Sequence, residues 1–163
     1  MNNTTTESGC LICQRIEQIK NGDNPYFITE LKTGYAVFGD YQFYPGYSLF
    51  LSKIHAEELH DLTFDFKKQF LLDMSYVAEA LHKIFQPSKL NYELLGNKDR
   101  HLHWHIYPRY EDDPDPNRPI WSYPKEKRCN KDTEATAEFI TSYGSRMKVQ
   151  IEELARKSEE KHD

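Results

Sequence analysis

The fold is decided by the stretch His101-Leu102-His103-Trp104-His105-Ile106-Tyr107-Pro108-Arg109, along which histidines alternate with apolar residues. Alternation with a period of two is typical of a β-strand, whose successive side chains point to opposite faces. The apolar members are expected to face a core, and they are Leu102, Trp104 and Ile106. The three histidines are expected to project together from the other face, with neighbours about 6.6 Å apart.

Upstream of this stretch, the sequence predicts a short helix followed by three strands. The helix has apolar residues at helical spacing from Ile12 onward and is expected to stop near Asn21 and Gly22. The strands are rich in aromatic and β-branched residues, are separated by turn residues, and cover residues 26–29, 35–38 and 47–51. Short turns between consecutive strands favour antiparallel pairing.

Two longer helices are predicted on either side of the histidine stretch. The first runs from Thr63 until Pro87 ends it, with apolar residues every three or four positions: Phe66, Phe70, Met74, Val77, Leu81 and Ile84. A strand is expected at 90–95. The second helix is expected from about Asp132 to Lys157, with an apolar stripe of Tyr143, Met147, Ile151 and Leu154. This order predicts an α+β fold, an antiparallel sheet with a long helix packed on it plus a C-terminal helix.

The length and composition indicate one compact domain with polar ends. The chain has 163 residues, which suits a single core. We expect a disordered tail at 1–9, a catalytic domain at 10–110, an acidic, proline-rich arm at 111–131, and a C-terminal helix and tail at 132–163. The arm cannot continue a strand because its prolines lack the amide donor. Trp121 and Tyr123 are its expected anchors, against the domain or a partner subunit.

Charge and hydropathy narrow the classes of partner. The net charge of −5 argues against binding a nucleic-acid polymer, which needs clustered Lys and Arg. No apolar run reaches the roughly 20 residues of a membrane span, and the N-terminal residues lack the features of a secretory signal. We therefore expect a cytoplasmic protein with no membrane partner.

The histidine-rich face allows two kinds of chemistry. His-x-His on a strand can supply two metal ligands, or it can supply a nucleophile and its neighbour. Cys10 and Cys13 raise the same question, since a Cys-x-x-Cys pair in a reducing compartment suggests metal or redox chemistry. Their ordinary alternative is a pair of half-buried thiols at the start of a helix. Cys129 lies in the arm and is assigned no role.

The pattern of residues 101–107, His-φ-His-φ-His-φ-φ with φ apolar, resembles the signature of the histidine-triad (HIT) family of nucleotide hydrolases and transferases. Further matching pieces are Cys10-x-x-Cys13, Phe38-Gly39-Asp40, Pro45-Gly46, Ser52-Lys53-Ile54-His55 and Leu94-Leu95-Gly96-Asn97. The short link 97–100 and the Pro108-Arg109 exit resemble the bacterial branch described as diadenosine-tetraphosphate-hydrolase-like. The resemblance implies a HIT-like fold, a homodimer, an adenosine-containing phosphate as small-molecule substrate, and no organic cofactor.

The resemblance also implies roles for the triad. His103 is the expected nucleophile, whose neutral nitrogen attacks an α-phosphate to give a nucleotidyl-histidine that water then hydrolyses. His105 is the expected phosphate contact, and His101 completes the catalytic triad. In the family, a backbone carbonyl or a neighbouring histidine orients the nucleophile's other nitrogen.

Three further residues are expected to bind substrate. Asn97 matches a position whose amide contacts substrate, and Asp40 matches one that accepts from ribose hydroxyls; both also suit ordinary turns. Tyr47 follows Gly46 where many family members carry histidine, so a phenol is expected to donate to phosphate in its place. This departure puts the substrate preference in doubt.

The resemblance further implies a structural zinc, bound by Cys10, Cys13, His55 and His101 as in some bacterial members of the family. The leading hypothesis is thus an enzyme, either a diadenosine-polyphosphate hydrolase or a nucleoside phosphoramidase. Its alternative is a non-catalytic nucleotide-binding or zinc-dependent interaction module.

Overall fold

The computed structural model of the protein describes residues 9–160, so residues 1–8 of the expected tail and residues 161–163 lie outside the described range. The helices are α1 (Leu11–Asn21), α2 (Phe64–Phe85), α3 (Lys125–Arg128) and α4 (Ala137–Glu160). The strands are β1 (Phe27–Glu30), β2 (Gly34–Phe38), β3 (Ser48–Ser52), β4 (Lys89–Glu93) and β5 (His103–Arg109). Short 3-10 turns occur at Leu59–Asp61, Ile120–Ser122 and Lys131–Thr133.

The strands form one antiparallel sheet in the order β1-β2-β3-β5-β4. The predicted α+β class, with a long helix on an antiparallel sheet and a C-terminal helix, is confirmed. Strand β5 pairs with β3 on one side and with β4 on the other, which makes it an inner strand. Its histidines are therefore carried one strand in from the β4 edge of the sheet.

The two faces of the sheet are covered differently. Helices α2 and α4 pack on one face, where they bury residues such as Phe38, Phe50 and Ile106. Helix α1 covers only part of the other face, where Ile12 and Ile16 pack against β2 and β3. The part of this second face that α1 does not cover carries His103 and His105. The predicted division between a core face and a histidine face therefore holds for these two residues.

Helix α2 has the bounds and the buried stripe that its sequence predicts. The Thr63 side chain accepts a hydrogen bond from the Phe66 amide, which caps the N-terminus. At the other end Gln86 adopts a left-handed φ of 49°, and Pro87 cannot continue the helix. Among the described residues, neither α2 nor any other helix is long and apolar enough to cross a membrane.

Helix α4 begins at Ala137 rather than at about Asp132, so the predicted start was wrong. Residues 131–133 form a 3-10 turn that the Asn130 side chain caps by accepting from the Asp132 amide. Glu134 then pairs with Tyr41 in an isolated β-bridge, which holds the chain extended. The predicted stripe is nevertheless correct, since Met147 and Ile151 are fully buried.

A buried carboxylate on α2 fixes the turn between β1 and β2. Asp73 is 1% exposed and its Oδ2 accepts from both the amide and the hydroxyl of Thr33, at 2.9 and 2.6 Å. Its Oδ1 accepts from the side-chain amide of Gln69. The group therefore satisfies donors that would otherwise be buried without a partner.

We expect Asp73→Ala to destabilise the protein by about 1–3 kcal/mol, because it leaves the Thr33 donors buried and unsatisfied. Urea unfolding followed by circular dichroism measures the change. The matched control is Glu79→Ala on the exposed side of α2, where only a surface ion pair with Lys83 is lost, at a cost below about 1 kcal/mol. Equal losses in the two variants would contradict the role of Asp73.

Candidate active site

A cavity of about 270 Å³ lies on the sheet face opposite α2. Its floor is formed by side chains of β2, β3 and β5, including Val37, Leu49, His103 and His105. Helix α1 forms one wall, and the arm after β5 forms another through residues in the range 121–129. The cavity thus combines an apolar surface with the two strand-borne histidines.

His103 is held in one orientation by the chain just before it. It is 5% exposed, and its Nδ1 lies 2.5 Å from the backbone carbonyl oxygen of His101. A carbonyl only accepts, so Nδ1 carries the hydrogen and donates it. In the neutral ring Nε2 then carries the lone pair. The sequence left open which group orients this ring, and it is the carbonyl of His101.

His105 lies beside His103 on the same face, with ring centroids 4.8 Å apart. Its Nδ1 is 2.7 Å from the hydroxyl of Tyr47. Burial lowers the pKa of His105 from its ordinary value of 6.5 to about 4, so the ring is neutral at pH 7. A neutral ring that accepts at Nδ1 carries its hydrogen on Nε2.

Tyr47 contacts His105 directly and is tightly packed. Its ring stacks on Tyr107, with centroids 4.0 Å apart, and burial raises the pKa of its hydroxyl. It also lies against the backbone of Gly39, where an added Cβ would be 2.1 Å from the ring. Gly39 is therefore required for this ring position. Tyr47 was expected to donate to phosphate. Its hydroxyl is instead hydrogen-bonded to His105, the histidine expected to contact phosphate.

His101 lies before the strand and does not line the cavity that His103 and His105 line. Strand β5 begins at His103, and His101 lies in a bend before it. Its ring donates from Nε2 to the carbonyl of Ser52 at 2.8 Å, which leaves the lone pair on Nδ1. Only its backbone carbonyl is directed to His103. The predicted strand is therefore shorter at this end, because the pairing with β3 begins only at His103.

The ring of His101 instead joins a cluster with Cys10, Cys13 and His55, whose ligand atoms all lie within 4.8 Å of one another. Its Nδ1 is 3.6 Å from Sγ of Cys10 and 3.4 Å from Sγ of Cys13. His55 Nδ1 is 3.3 Å from the same Cys13 sulfur. Tetrahedral zinc with usual bond lengths separates sulfur and nitrogen ligands by roughly 3.6 Å. The donor set therefore fits a metal ion.

Asp40 and Asn97 line different pockets. Asp40 lines the cavity and accepts from the guanidinium of Arg15, with Nη1 3.0 Å from Oδ1; this contact raises the pKa of Arg15. Asn97 is exposed and lines a neighbouring depression, to which His103 also contributes. The structure thus gathers His103, His105, Asp40 and Tyr47 around one cavity and leaves Asn97 outside it.

The arm after β5 folds back over the cavity. Ile120 is fully buried in an aromatic cluster with Tyr44 and Tyr107. The expected anchors also contact the domain: Tyr123 stacks on Phe43, and Trp121 donates to Glu93 at 2.9 Å. Sequence reasoning missed Ile120, although a lone aliphatic residue among prolines and charges was its available signal.

A second feature of the arm that the sequence did not reveal is the role of Arg109. It is 3% exposed and forms a 2.6 Å ion pair with Asp113. Its Nη1 donates to Asn91 and to the carbonyl of Arg118, and its Nη2 donates to the carbonyl of Asp115. One arginine at the end of β5 therefore fixes the turn that returns the arm to the cavity.

Comparison with known proteins relates this fold and site to one family. A family model described as HIT domain matches residues 25–112, more than half of the chain. "Protein hit" of Bacillus subtilis (strain 168) is 33% identical over 70 residues, 40% of this chain and 48% of that protein. The matched region thus spans about half the length of that curated relative.

Solved structures give the same result. A histidine triad protein from Bradyrhizobium japonicum has a TM-score of 0.68 at 26% identity, covering 77% of this chain and 89% of that one. A zinc-bound histidine triad family protein from Mycobacterium smegmatis shares the fold at 19% identity, with a TM-score of 0.62 and coverages of 91% and 96%. The family model, the curated relative and the paired histidines of β5 agree, and the chain belongs to the HIT family.

Proposed function

We propose that the protein is a nucleotide hydrolase or nucleotidyl transferase that attacks the α-phosphate of adenosine-containing phosphates through a covalent nucleotidyl-histidine. The observation that carries this proposal is the hydrogen bond from His103 Nδ1 to the carbonyl of His101. This bond leaves the lone pair on Nε2 of His103, and the His103 side chain lines a cavity of about 270 Å³.

The cavity supports a nucleoside as the bound half of the substrate. Leu11, Val37 and Leu49 supply apolar surface on one side of the histidines, which suits a purine ring. Asp40 lies on the same side, and Arg15 holds its carboxylate in place. A carboxylate there can accept hydrogen bonds from ribose hydroxyls through its remaining lone pairs.

In the proposed reaction, Nε2 of His103 forms a bond to phosphorus as the bond from phosphorus to the leaving group breaks. The leaving group departs with the electron pair of that bond and takes a proton from solvent. Water, or an acceptor alcohol in a transferase, then attacks phosphorus and releases a proton to solvent, and the phosphorus–nitrogen bond breaks with its electron pair returning to Nε2 of His103. Asn97, in the depression that His103 also lines, is proposed as a substrate contact.

His105 has a distinct task in this reaction. We assign the Tyr47 hydroxyl as the donor in its 2.7 Å contact with Nδ1 of His105, which leaves Nε2–H of His105 to donate to a phosphoryl oxygen. A donor placed there stabilises the charge that develops on phosphorus oxygens in the transition state. Tyr47 therefore acts through His105 as a positioning residue.

We also propose that the Cys10, Cys13, His55 and His101 cluster holds a structural zinc ion. The distances between the donor atoms and the zinc-bound relative from M. smegmatis support this. Four protein ligands leave no open position, as in structural rather than catalytic sites. When bound, zinc would supply a cross-link between the start of α1 and the bend before β5.

A homodimer, as the family resemblance implies, completes the proposal. Strand β4 is an edge of the sheet, and Tyr92 and Leu95 next to this edge are 47% and 51% exposed. The runner-up function is a nucleotide-binding or zinc-dependent interaction module without turnover. A covalent adduct on His103 separates the two.

The first prediction for this function is such an adduct. Mixing the enzyme with an adenosine substrate labelled at the α-phosphate, then quenching in base, should leave label on the peptide that contains His103, and acid should release it. His103→Ala should lose both labelling and turnover, whereas His60→Ala, at an exposed histidine, should lose neither. His105→Gln should slow labelling about 10²- to 10³-fold without moving it.

Two results together would overturn the nucleophilic role of His103. They are rapid turnover without any labelled peptide, and a His103→Ala variant that keeps a substantial part of its rate. Binding of adenosine phosphates without turnover or label would favour the non-catalytic module instead.

The second prediction concerns the metal. Elemental analysis of the purified protein should find about one zinc per chain, and Cys13→Ser should lose the zinc and lower the thermal midpoint. Turnover by the fraction that stays folded should be affected less than thermal stability. Cys129→Ser should keep the zinc, because Cys129 lies outside the cluster. A zinc-free protein with the same thermal midpoint would refute a structural zinc.

The third prediction concerns Tyr47. Tyr47→Phe keeps the stacked ring but removes the hydroxyl that selects the His105 tautomer, so kcat should fall about 3- to 10-fold, as for one lost hydrogen bond. In a His105→Gln background the same change should have little further effect, because the two residues act as a unit. Fully additive effects in this double-mutant cycle would contradict the positioning role.

A further inference from the structure

Arg128 is a buried cation on the arm that the reaction described above does not use. It is the last residue of α3, it is 7% exposed, and it lines the cavity. Its guanidinium carbon lies 5.2 Å from the centre of the Trp121 ring. The side chain is thus held between the arm and the cavity that contains His105.

The guanidinium of Arg128 is only partly satisfied by the protein. Its Nε donates to the carbonyl of Tyr123 at 2.9 Å. Within residues 9–160, its two terminal nitrogens donate no hydrogen bond, and no carboxylate lies within 4.0 Å of them. Arg109 is similarly buried but uses all three of its nitrogens, on an ion pair and three further acceptors. Arg15, in the same cavity, is paired with Asp40.

The positive charge of Arg128 acts on the carboxylate of Glu93, although the two groups form no ion pair. Burial raises the pKa of Glu93, while the hydrogen bond from Trp121 and the positive charges of Arg109 and Arg128 oppose that rise. Its Oε2 accepts from Trp121 rather than from Arg128. A buried cation without an ion pair is costly, and an anionic ligand is the natural partner.

The sheet order places Arg128 on the opposite side of the histidines from the nucleoside surface. Val37 lies on β2 and Leu49 on β3, followed across the sheet by the histidines on β5. Beyond them Trp121 is tied to Glu93 on β4, and its ring centroid is 6.4 Å from that of His105. Arg128 packs against this same tryptophan. The guanidinium therefore lies on the β4 side of the histidines, away from the apolar surface proposed for the nucleoside.

We propose that Arg128 binds a phosphate group in the leaving portion of the substrate, beyond the phosphorus that His103 attacks. This rests on the proposed function and names its substrate class: nucleotides with an anionic phosphate chain, in preference to phosphoramidates with a neutral amine. Two terminal amino groups in one plane match two oxygens of a phosphate. The same contact stabilises the negative charge that the departing phosphate gains.

The test compares ligands that share the adenosine monophosphate half. ADP and AMP are titrated into the full-length protein by calorimetry, which requires no turnover. Wild-type protein should bind ADP about 10- to 100-fold more tightly than AMP, as for a hydrogen-bonded charged group. Arg128→Gln should remove this difference while AMP affinity changes less than about twofold.

A second part of the test measures turnover. Arg128→Gln should lower kcat/KM for diadenosine polyphosphate about 10- to 100-fold and leave kcat/KM for an adenosine phosphoramidate nearly unchanged. Lys127→Gln is the matched control, since it removes the same charge from an exposed position of α3 and should change neither substrate. Arg128→Lys keeps the charge and should lose only part of the preference.

Several outcomes would overturn the subsite. These are equal losses for both substrates, an ADP preference that survives Arg128→Gln, or inorganic phosphate alone binding as tightly as ADP, which would separate the anion site from the nucleotide. If Arg128→Gln unfolds, the comparison of ADP with AMP in Arg128→Lys decides the same question. Absence of turnover by the wild-type protein would defeat the proposed function, while the calorimetric comparison would still decide the subsite.

Discussion

Strand β5 is hydrogen-bonded along both edges, to β3 and to β4, and the rest of the structure depends on its register. Ile106 is fully buried against α2, so a slip by one residue would bring a histidine into the core and an isoleucine to the cavity. The packing energy of the core therefore positions His103 and His105. Both rings are thus positioned by a strand of the sheet and not by a loop.

Periodic patterns made much of the fold predictable, because burial repeats every two residues in a strand and about every 3.6 in a helix. The faces of β5 and the stripe of α2 followed from those periods. The hydrogen bond from His103 to the His101 carbonyl could not be predicted in this way, because it depends on a bend that precedes the strand. The contact between Tyr47 and His105 was equally hidden, because it depends on the register between distant strands.

The arm was the least predictable part, because its position depends on hydrogen bonds that have no sequence period. Arg109 reaches the carbonyls of Asp115 and Arg118, and Ile120 fills an aromatic pocket. A segment with several prolines and many charges therefore becomes ordered without forming a strand or a long helix. Composition described this segment correctly as polar, but gave no information on which surface it would cover.

The arm also bears on how the cavity can vary. The HIT domain model ends at residue 112, just before most of the arm, whereas Trp121 and Arg128 line the same cavity as His103. Two separate segments of the chain thus line one cavity, namely strand β5 with its histidines and the arm that covers them. The backbone pairing of β5 with β3 and β4 involves no residue of the arm. Changes in the arm can therefore alter the shape of the cavity without altering the backbone pairing of the strand that carries His103 and His105.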